Sequence, residues 1–313
     1  MTFKITILGA ASAKPSATRH HTSQLLNHAE QYFLIDAGEG VQSRMMRVGV
    51  SPMRLTAIFI SHLHGDHVFG LFPLISSLGL MGRKAPLHIY APRPFDEILE
   101  YHRRYFDTQL PYEVVWHEVH TTQHELLFEN SVLEVWSVPL RHRVPCAGFH
   151  FREKPAELNV DKAAIERYGL GVAQITAAKR GEDVVLDDGS VVPNGAITYI
   201  PRKPRSYAYL SDTNYSAKAV GLVKGVDLLY HEATYAGEMK RDAKQRGHAT
   251  TLEAARAAIE SGAKRLLIGH FSSRYKDEQE LVDECRTLFA ESYVAEEFKS
   301  FEIPLYSPED EDN

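Results

Sequence analysis

Cysteine is almost absent: Cys146 and Cys285 are the two in 313 residues, and neither sits in a Cys-x-x-Cys pair. That excludes a disulfide framework. No run of eighteen apolar residues occurs, so no transmembrane helix is expected. The start, Met1 to Gly9, lacks the basic head, long apolar stretch and small-residue cleavage site of a secretory signal, and reads as a strand entering a glycine turn. Together these absences lead to the expectation of a cytoplasmic chain with no membrane segment. An excess of positive charge is missing too, with 35 Lys and Arg against 41 Asp and Glu, a net charge of −6. From Glu291 onward there are eight acids and one base, so that stretch carries −7 and leaves residues 1–290 at +1. An acidic tail thus dominates the sum, and 307–313 is expected to be disordered and solvated. The body is neutral and can still hold a local basic patch.

What is present is a series of short apolar runs, each ending in polar, chemically capable residues. Tyr32 to Ile35 ends at Asp36, Ala57 to Ile60 at Ser61-His62, and Val132 to Val138 leads to Arg141-His142. Ser206 to Leu210 ends near Asp212, Val226 to Tyr230 at His231-Glu232, and Leu266 to Gly269 at His270. Short runs rich in β-branched and aromatic residues predict strands. A helix is predicted over Thr251 to Ser261, with a threonine N-cap and Leu252, Ala255, Ala258 and Ile259 on one face. Strands alternating with helices predict a layered α/β fold, with the site at the strand ends. The expected organisation is one domain over 1–306. Into it is inserted an arm, about 152–204, rich in charge, Gly and Pro and too polar to complete a core. Within the arm, Val160 to Tyr168 predicts a short helix, and Asp187-Asp188-Gly189-Ser190 a hairpin turn.

The strongest chemical signal is His62-Leu63-His64-Gly65-Asp66-His67. Four ligand-type side chains within six residues, directly after a buried strand, suit zinc. Gly65 lets the turn bring Asp66 round without a Cβ clash. Six residues cannot saturate two metals, so further ligands are sought at other strand ends, where His142, Asp212 and His270 stand. Two zincs about 3.5–4 Å apart would want one bridging carboxylate, and Asp212 is the natural bridge. His20, His21, His28, His88, His102, His117, His120, His124 and His150 read as non-catalytic.

An HxHxDH segment followed by later His, Asp and His resembles the metallo-β-lactamase superfamily. More narrowly, Leu34-Ile35-Asp36-Ala37-Gly38-Glu39-Gly40 resembles the DxGEG motif of the ribonuclease Z family of tRNA 3′-processing endonucleases. Ser211-Asp212-Thr213, His231-Glu232-Ala233-Thr234, Gly247-His248-Ala249-Thr250 and Gly269-His270-Phe271-Ser272-Ser273-Arg274-Tyr275 are similar to its later motifs, in order, and the match spans about residues 3 to 305. The resemblance implies an αβ/βα sandwich with a protruding arm. It implies two Zn²⁺ per subunit, one held by His62, His64 and His142, the other by Asp66, His67 and His270, with Asp212 between them and Asp36 orienting a ligand imidazole. It also implies a homodimer, no membrane partner, and precursor tRNA as substrate, its 3′ trailer removed by phosphodiester hydrolysis.

In that chemistry Asp66 accepts the attacking water's proton, while His248, oriented by Glu232, donates one to the leaving oxygen. Ser272, Ser273 and Arg274 are candidate phosphate contacts; Lys179 and Arg180 are candidate contacts from the arm. Two departures stand out. Gly169 to Ile175 has no proline where family arms carry a Gly-Pro-rich motif, and Phe72-Pro73-Leu74-Ile75 stands where the family often has Pro-Gly. The alternative function is a small-molecule phosphodiesterase or lactonase of the same superfamily. A di-iron redox protein is disfavoured by His64 and by the lack of a second domain, and a non-catalytic RNA scaffold by the complete ligand set.

Overall fold

The computed structural model describes residues 1–14, 18–106 and 109–305. The acidic tail expected over 307–313 lies outside them. Among the described residues no helix is long and apolar enough to cross a membrane. The chain divides into two compact units: Met1–Glu129, Glu134–Arg152 and Ser206–Ile303 form the first, and Asn130–Leu133, Glu153–Arg205 and the described end from Pro304 form the second.

The strands run in chain order β1 (Phe3–Gly9), β2 (Ser23–His28), β3 (Gln31–Ile35), β4 (Leu55–Phe59), β5 (Leu87–Ala91), β6 (Val114–Glu118), β7 (Leu126–Glu129), β8 (Leu133–Pro139) and β9 (Ala147–Glu153). Then come β10 (Asn159–Val160), β11 (Val184–Val185), β12 (Val191–Val192), β13 (Thr198–Tyr199), β14 (Ser206–Leu210), β15 (Leu228–Glu232), β16 (Arg265–Gly269), β17 (Ser292–Val294) and β18 (Ser300–Glu302). One seven-stranded sheet has the order β18-β1-β2-β3-β4-β5-β6, the other β17-β16-β15-β14-β9-β8-β7. β3 to β6 are parallel, as are β14 to β17.

The period-2 alternation of side chains divides each sheet between two cores. Phe33 and Phe59 turn towards the other sheet, where Phe33 meets Phe151 and Phe59 meets Phe149 and Phe151 at centroid distances of 5.4–6.1 Å. Their neighbours Leu34, Ile58 and Ile60 turn outward, onto Val41 and Met45 of helix Val41–Arg47 and Leu71, Leu74 and Leu78 of helix Leu71–Leu80. The second sheet does the same, with Ala208, Leu210 and Leu229 packed on helices Ala217–Leu222, Thr251–Ser261 and Gln279–Arg286. The result is helix, sheet, sheet, helix, the αβ/βα sandwich that the family resemblance implied.

Helix Thr251–Ser261 starts where expected, capped by Thr250 with Glu253 completing a capping box. Its buried face is the expected one only in part, through Ala255 and Ala258. Ala254, Ala255, Ala257 and Ala258 are buried, whereas Ile259 is half exposed. Alanines bring this helix close to the sheet, and that closeness selects the face over side-chain size. A second correction concerns β15, which continues through His231 and Glu232 and so buries both within the strand.

The second unit contains helix Lys162–Tyr168, N-capped by Asp161, and the hairpin β11–β12, with Gly189 left-handed at φ 83° in its turn. Helix Val172–Lys179 was not predicted. Val160, Ala164, Leu170, Ala178, Val184, Val192 and Ile197 form a small buried cluster, so the segment does build an apolar core, contrary to the polarity argument. At its two ends Arg205 and Glu153 form a buried pair: Nη2 to Oε1 is 2.8 Å and Nε to Oε2 3.1 Å.

Candidate metal centre and reaction cavity

Parallel strands deliver their functional side chains to one edge, the carboxyl ends of β3, β4, β14, β15 and β16, as α/β sheets do. β4 opens into an extended loop carrying His62 and His64, and helix Gly65–Val68 then presents Asp66 and His67. A Cβ on Gly65 would meet the Phe69 ring at 2.3 Å; the clash avoided is with that ring, since Gly65 is not left-handed. The loop is tied to the DxGEG segment by Ala37 N donating to His67 O at 2.7 Å and Gly70 N to Ala37 O at 2.8 Å. A Cβ on Gly70 would lie 2.1 Å from Gly38 O, so glycine alone permits this approach.

Asp36 is fully buried and accepts four donors: Ser61 N at 2.8 Å on Oδ1, and Ser61 Oγ (2.9 Å), His67 Nδ1 (2.8 Å) and Tyr209 OH (2.7 Å) on Oδ2. Asp36, Asp212 and His270 adopt φ of 55°, 54° and 58°. Non-glycine residues seldom occupy this left-handed region, Asp and His more readily than most, and such strain collects at functional sites. Each turns the chain sharply just past a strand end.

The imidazoles and carboxylates form two groups. His64 Nδ1 lies 2.9 Å from His62 Nε2 and 3.4 Å from His142 Nε2, and Asp212 Oδ1 lies 4.0 and 3.9 Å from those two Nε2 atoms. His67 Nε2 lies 3.4 Å from Asp66 Oδ2 and 3.2 Å from Asp212 Oδ2; His270 Nε2 lies 3.8 Å from Asp66 Oδ2 and 3.3 Å from Asp212 Oδ1. His62, His64, His142 and Asp212 can thus hold one ion, and Asp66, His67 and His270 another; Asp212, His248 and His270 also converge. Asp212 touches both groups. His67 Nε2 and His270 Nε2 are buried without a hydrogen-bond partner although carboxylate oxygens stand near. A buried nitrogen left so is costly, and a cation between nitrogens and oxygens removes the cost, so the donor set fits a metal.

The electrostatics agree. Burial opposes a charge on His67, yet Asp212, Asp36 and Asp66 together hold it well above the ordinary histidine value. Burial opposes ionisation of Asp66 as well, but His67 and His270 keep its carboxyl far below the usual range. His62 is held well below the ordinary value by burial and by neighbouring imidazoles, so it stays neutral with a lone pair to offer. Buried carboxylates facing imidazoles make a pocket that attracts positive charge.

Beside these groups, Glu232 is fully buried and accepts from Thr213 N at 2.6 Å and His248 Nδ1 at 2.9 Å on Oε1. Thr234 Oγ1 stands between Glu232 Oε2 and His270 Nδ1, the latter at 2.8 Å. Burial alone would lower His248, but the Glu232 carboxylate and its hydrogen bond outweigh that and raise it to about 9. Gly247 ends helix Lys240–Arg246 at φ 80°, and its carbonyl accepts from His142 Nδ1 at 2.9 Å.

All of this opens into a cavity of about 560 Å³ lined by His64, Asp66, His142, Asp212, His248 and His270, and by Lys14, Arg143, Tyr235, Arg246, Ser272, Ser273 and Arg274. The guanidinium of Arg274 sits 4.9 Å over the Tyr235 ring. Every predicted metal ligand, together with Asp66, Glu232, His248, Ser272, Ser273 and Arg274, belongs to this cluster or its lining. Lys179 and Arg180 do not line the cavity: they belong to the second unit, where Arg180 Nε pairs with Glu182 Oε1 at 2.9 Å. Sequence reasoning missed Ser61, Thr234 and Tyr209 around the imidazoles, and Lys14, Arg143 and Arg246 on the rim. Ser61 and Thr234 sat inside quoted motifs and were legible as hydroxyls beside ligands. Nothing in a one-dimensional pattern distinguishes the rim cations from other surface ones. None of the nine histidines set aside lines the cavity.

The architecture is similar to that of the metallo-β-lactamase fold protein YhfI from Bacillus subtilis, with a TM-score of 0.69 and 19% identity over 97% of this chain and 100% of that one. Fold and donor set together define a metallo-β-lactamase-fold protein with a candidate metal centre. Residues 3–104 also match the family model described as Anti-Pycsar protein Apyc1. Over nearly the whole length the likeness is more specific. The chain is 41% identical to ribonuclease Z of Bacteroides thetaiotaomicron, over 97% of this chain and 96% of that one, and 42% identical to ribonuclease Z of Porphyromonas gingivalis strain W83, over 94% and 97%. It superposes on the short form of human tRNase Z with a TM-score of 0.70 and 28% identity over 96% and 99%. The chain belongs to the ribonuclease Z family.

Proposed function

We propose that this protein is a zinc-dependent endoribonuclease that removes 3′ trailers from precursor tRNA. The observation that carries the reading is a single cavity in which two imidazole–carboxylate clusters meet at Asp212 beneath a rim of Lys14, Arg143, Arg246 and Arg274. A rim of four cations suits a polyanion, and a guanidinium can pair two phosphate oxygens at once. In this reading His62, His64 and His142 hold one zinc, Asp66, His67 and His270 the other, and Asp212 serves both. Bound there, the two ions would lower the pKa of water towards about 7 and neutralise charge on the phosphate. Asp66, in this reading, accepts the attacking water's proton. His248, held charged by Glu232, donates its proton to the leaving oxygen. Ser272, Ser273 and Arg274 hold the phosphate in line, and the second unit, with Lys179 and Arg180, grips the tRNA.

We also propose that the protein is cytoplasmic, where its substrate is made, and pairs as a homodimer. Support for the latter is a set of exposed apolar side chains, Leu80 at 90%, Phe106 at 72%, Phe69 at 65% and Tyr101 at 64% exposure. Leu80 and Phe106 line one cavity with Pro111. Light scattering on Phe106→Asp checks the dimer: a mass equal to the wild type's would remove this patch from the interface. The function itself is tested by incubating the zinc-loaded protein with 3′-labelled precursor tRNA and mapping the product ends. Cleavage at the base of the trailer is expected; hydrolysis of small esters with intact tRNA would favour a small-molecule phosphodiesterase.

A further inference from the structure

A hydroxyl has one proton, and that count decides how two of the imidazoles are held. Thr234 Oγ1 is 3% exposed by residue and lies between Glu232 Oε2 and His270 Nδ1. Glu232 is ionised: burial opposes its charge, but His248 beside it keeps the carboxyl below its ordinary value. An ionised carboxylate can only accept. The Thr234 proton therefore goes to Glu232, and the oxygen offers a lone pair to His270. His270 Nδ1 must then carry hydrogen, and in the neutral ring the lone pair is on Nε2. That nitrogen is the one buried without a hydrogen-bond partner, 3.3 Å from Asp212 Oδ1. The same arrangement recurs in the other half of the site. Ser61 Oγ gives its proton to Asp36 Oδ2 at 2.9 Å and accepts from His62 Nδ1 at 3.0 Å, which aims His62 Nε2 at His64 Nδ1, 2.9 Å away. His67 and His142 need no such relay, because their Nδ1 atoms meet Asp36 Oδ2 at 2.8 Å and Gly247 O at 2.9 Å directly.

We propose that Thr234 and Ser61 are positioning residues, twin carboxylate–hydroxyl–imidazole relays that fix the Nε2-presenting tautomers of His270 and His62. Thr234 does more than Ser61. Its carboxylate is the one that orients His248, so a single hydroxyl ties one half of the metal centre to the proton donor. As a claim about metal binding, the inference rests on the function proposed above; as a claim about tautomers, it does not.

The test uses the full-length protein stripped of metal with a chelator, as wild type, Thr234→Val, which keeps the shape and removes the hydroxyl, and Thr234→Ser, which restores it. Histidine ¹⁵N chemical shifts report the His270 tautomer, and zinc competition against a chromophoric chelator reports affinity. In Thr234→Val, His270 is expected to lose its single Nδ1–H tautomer, and zinc affinity to fall about 10–100-fold, the usual range for such partners. Thr234→Ser is expected to behave as wild type on both readouts. Ser61→Ala should affect His62 and leave His270 alone. An unchanged tautomer in Thr234→Val would overturn the proposal, as would a loss of affinity that Thr234→Ser fails to restore, since packing would then be the cause. If the wild type binds no zinc, the metal reading fails, and the tautomer measurement alone decides the role of the hydroxyls.

Discussion

The Tyr209 hydroxyl, on β14 of one sheet, donates to Asp36 Oδ2, at the end of β3 of the other, at 2.7 Å. The carboxylate that fixes His67 is thus held from both halves of the sandwich, and Tyr209 is itself fully buried and stacked 4.9 Å from Tyr230. We predict that Tyr209→Phe loses about 1.5–3 kcal/mol of stability, the range for a buried hydrogen bond to a charged group, measured by urea denaturation. The ring and its stacking survive, so packing is preserved. Asp36 keeps three other donors, so metal content should stay near wild type. A stability equal to wild type would mean that the strands alone hold Asp36 in place.

Asp212 meets both clusters: Oδ1 faces His62 and His142 of one and His270 of the other, and Oδ2 faces His67. Asp212→Ala should therefore lose activity together with at least one metal equivalent, because a carboxylate bridging two ions would serve both. Elemental analysis of the purified variant gives the count. Two full zinc equivalents in Asp212→Ala would rule out the bridging role.

These groups show how much of the site could be read from the chain. His62, His64, Asp66 and His67 were legible because they crowd into six residues, and His142, Asp212 and His270 because each follows a short apolar run that reads as a strand rather than a helix. Both are local signals. The outward and inward cores were half legible: Leu34 and Phe33 announce alternation, but nothing in the sequence says that Phe33 meets Phe151 and Phe59 meets Phe149 across the sandwich. Strands β5, β6, β7 and β9 went unread because their burial is decided by partners distant in sequence. Glu232 was read as lying beyond its strand, because a buried carboxylate looks like a strand end until His248, Thr213 and Thr234 are seen to satisfy it.

The Glu232–His248 pair predicts a pH dependence. A proton donor works while it is protonated, so turnover is present below the pKa of His248 and is lost as pH rises through it. In the protein without metal that value is raised to about 9 by Glu232, against the opposing effect of burial; bound cations nearby would pull the alkaline limb below it. Glu232→Gln removes the opposing charge, so its alkaline limb should move to lower pH than the wild type's. His248→Ala should keep its metals and lose about 10²–10⁴-fold in turnover. Zinc content falling in step with rate in His248→Ala would make His248 a ligand, a geometry that the convergence of Asp212, His248 and His270 allows.

The last prediction separates grip from chemistry. The second unit carries Lys162, Arg167, Lys179, Arg180 and Arg202 over a small apolar core of its own. A tRNA presents phosphates far from the scissile bond, and cations meeting them raise affinity in a salt-dependent way. A nitrophenyl phosphodiester is too small to reach such contacts. The excision can be made cleanly, because Arg152 and Ser206 are partners on neighbouring strands and Glu153 and Arg205 close the segment with a buried ion pair. Cutting through that pair would leave a buried charge alone, at a cost of about 3–5 kcal/mol, so Glu153 and Arg205 should be kept and residues 154–204 replaced by a short Gly-Ser linker. We predict that this variant no longer cleaves precursor tRNA yet hydrolyses the small ester within about tenfold of wild type, a barrier change of about 1.4 kcal/mol. In the wild type, KM for tRNA should climb steeply with salt while KM for the ester stays flat. Equal losses on both substrates would show that the segment supports the reaction cavity itself, and unchanged tRNA cleavage would deny it any part in recognition.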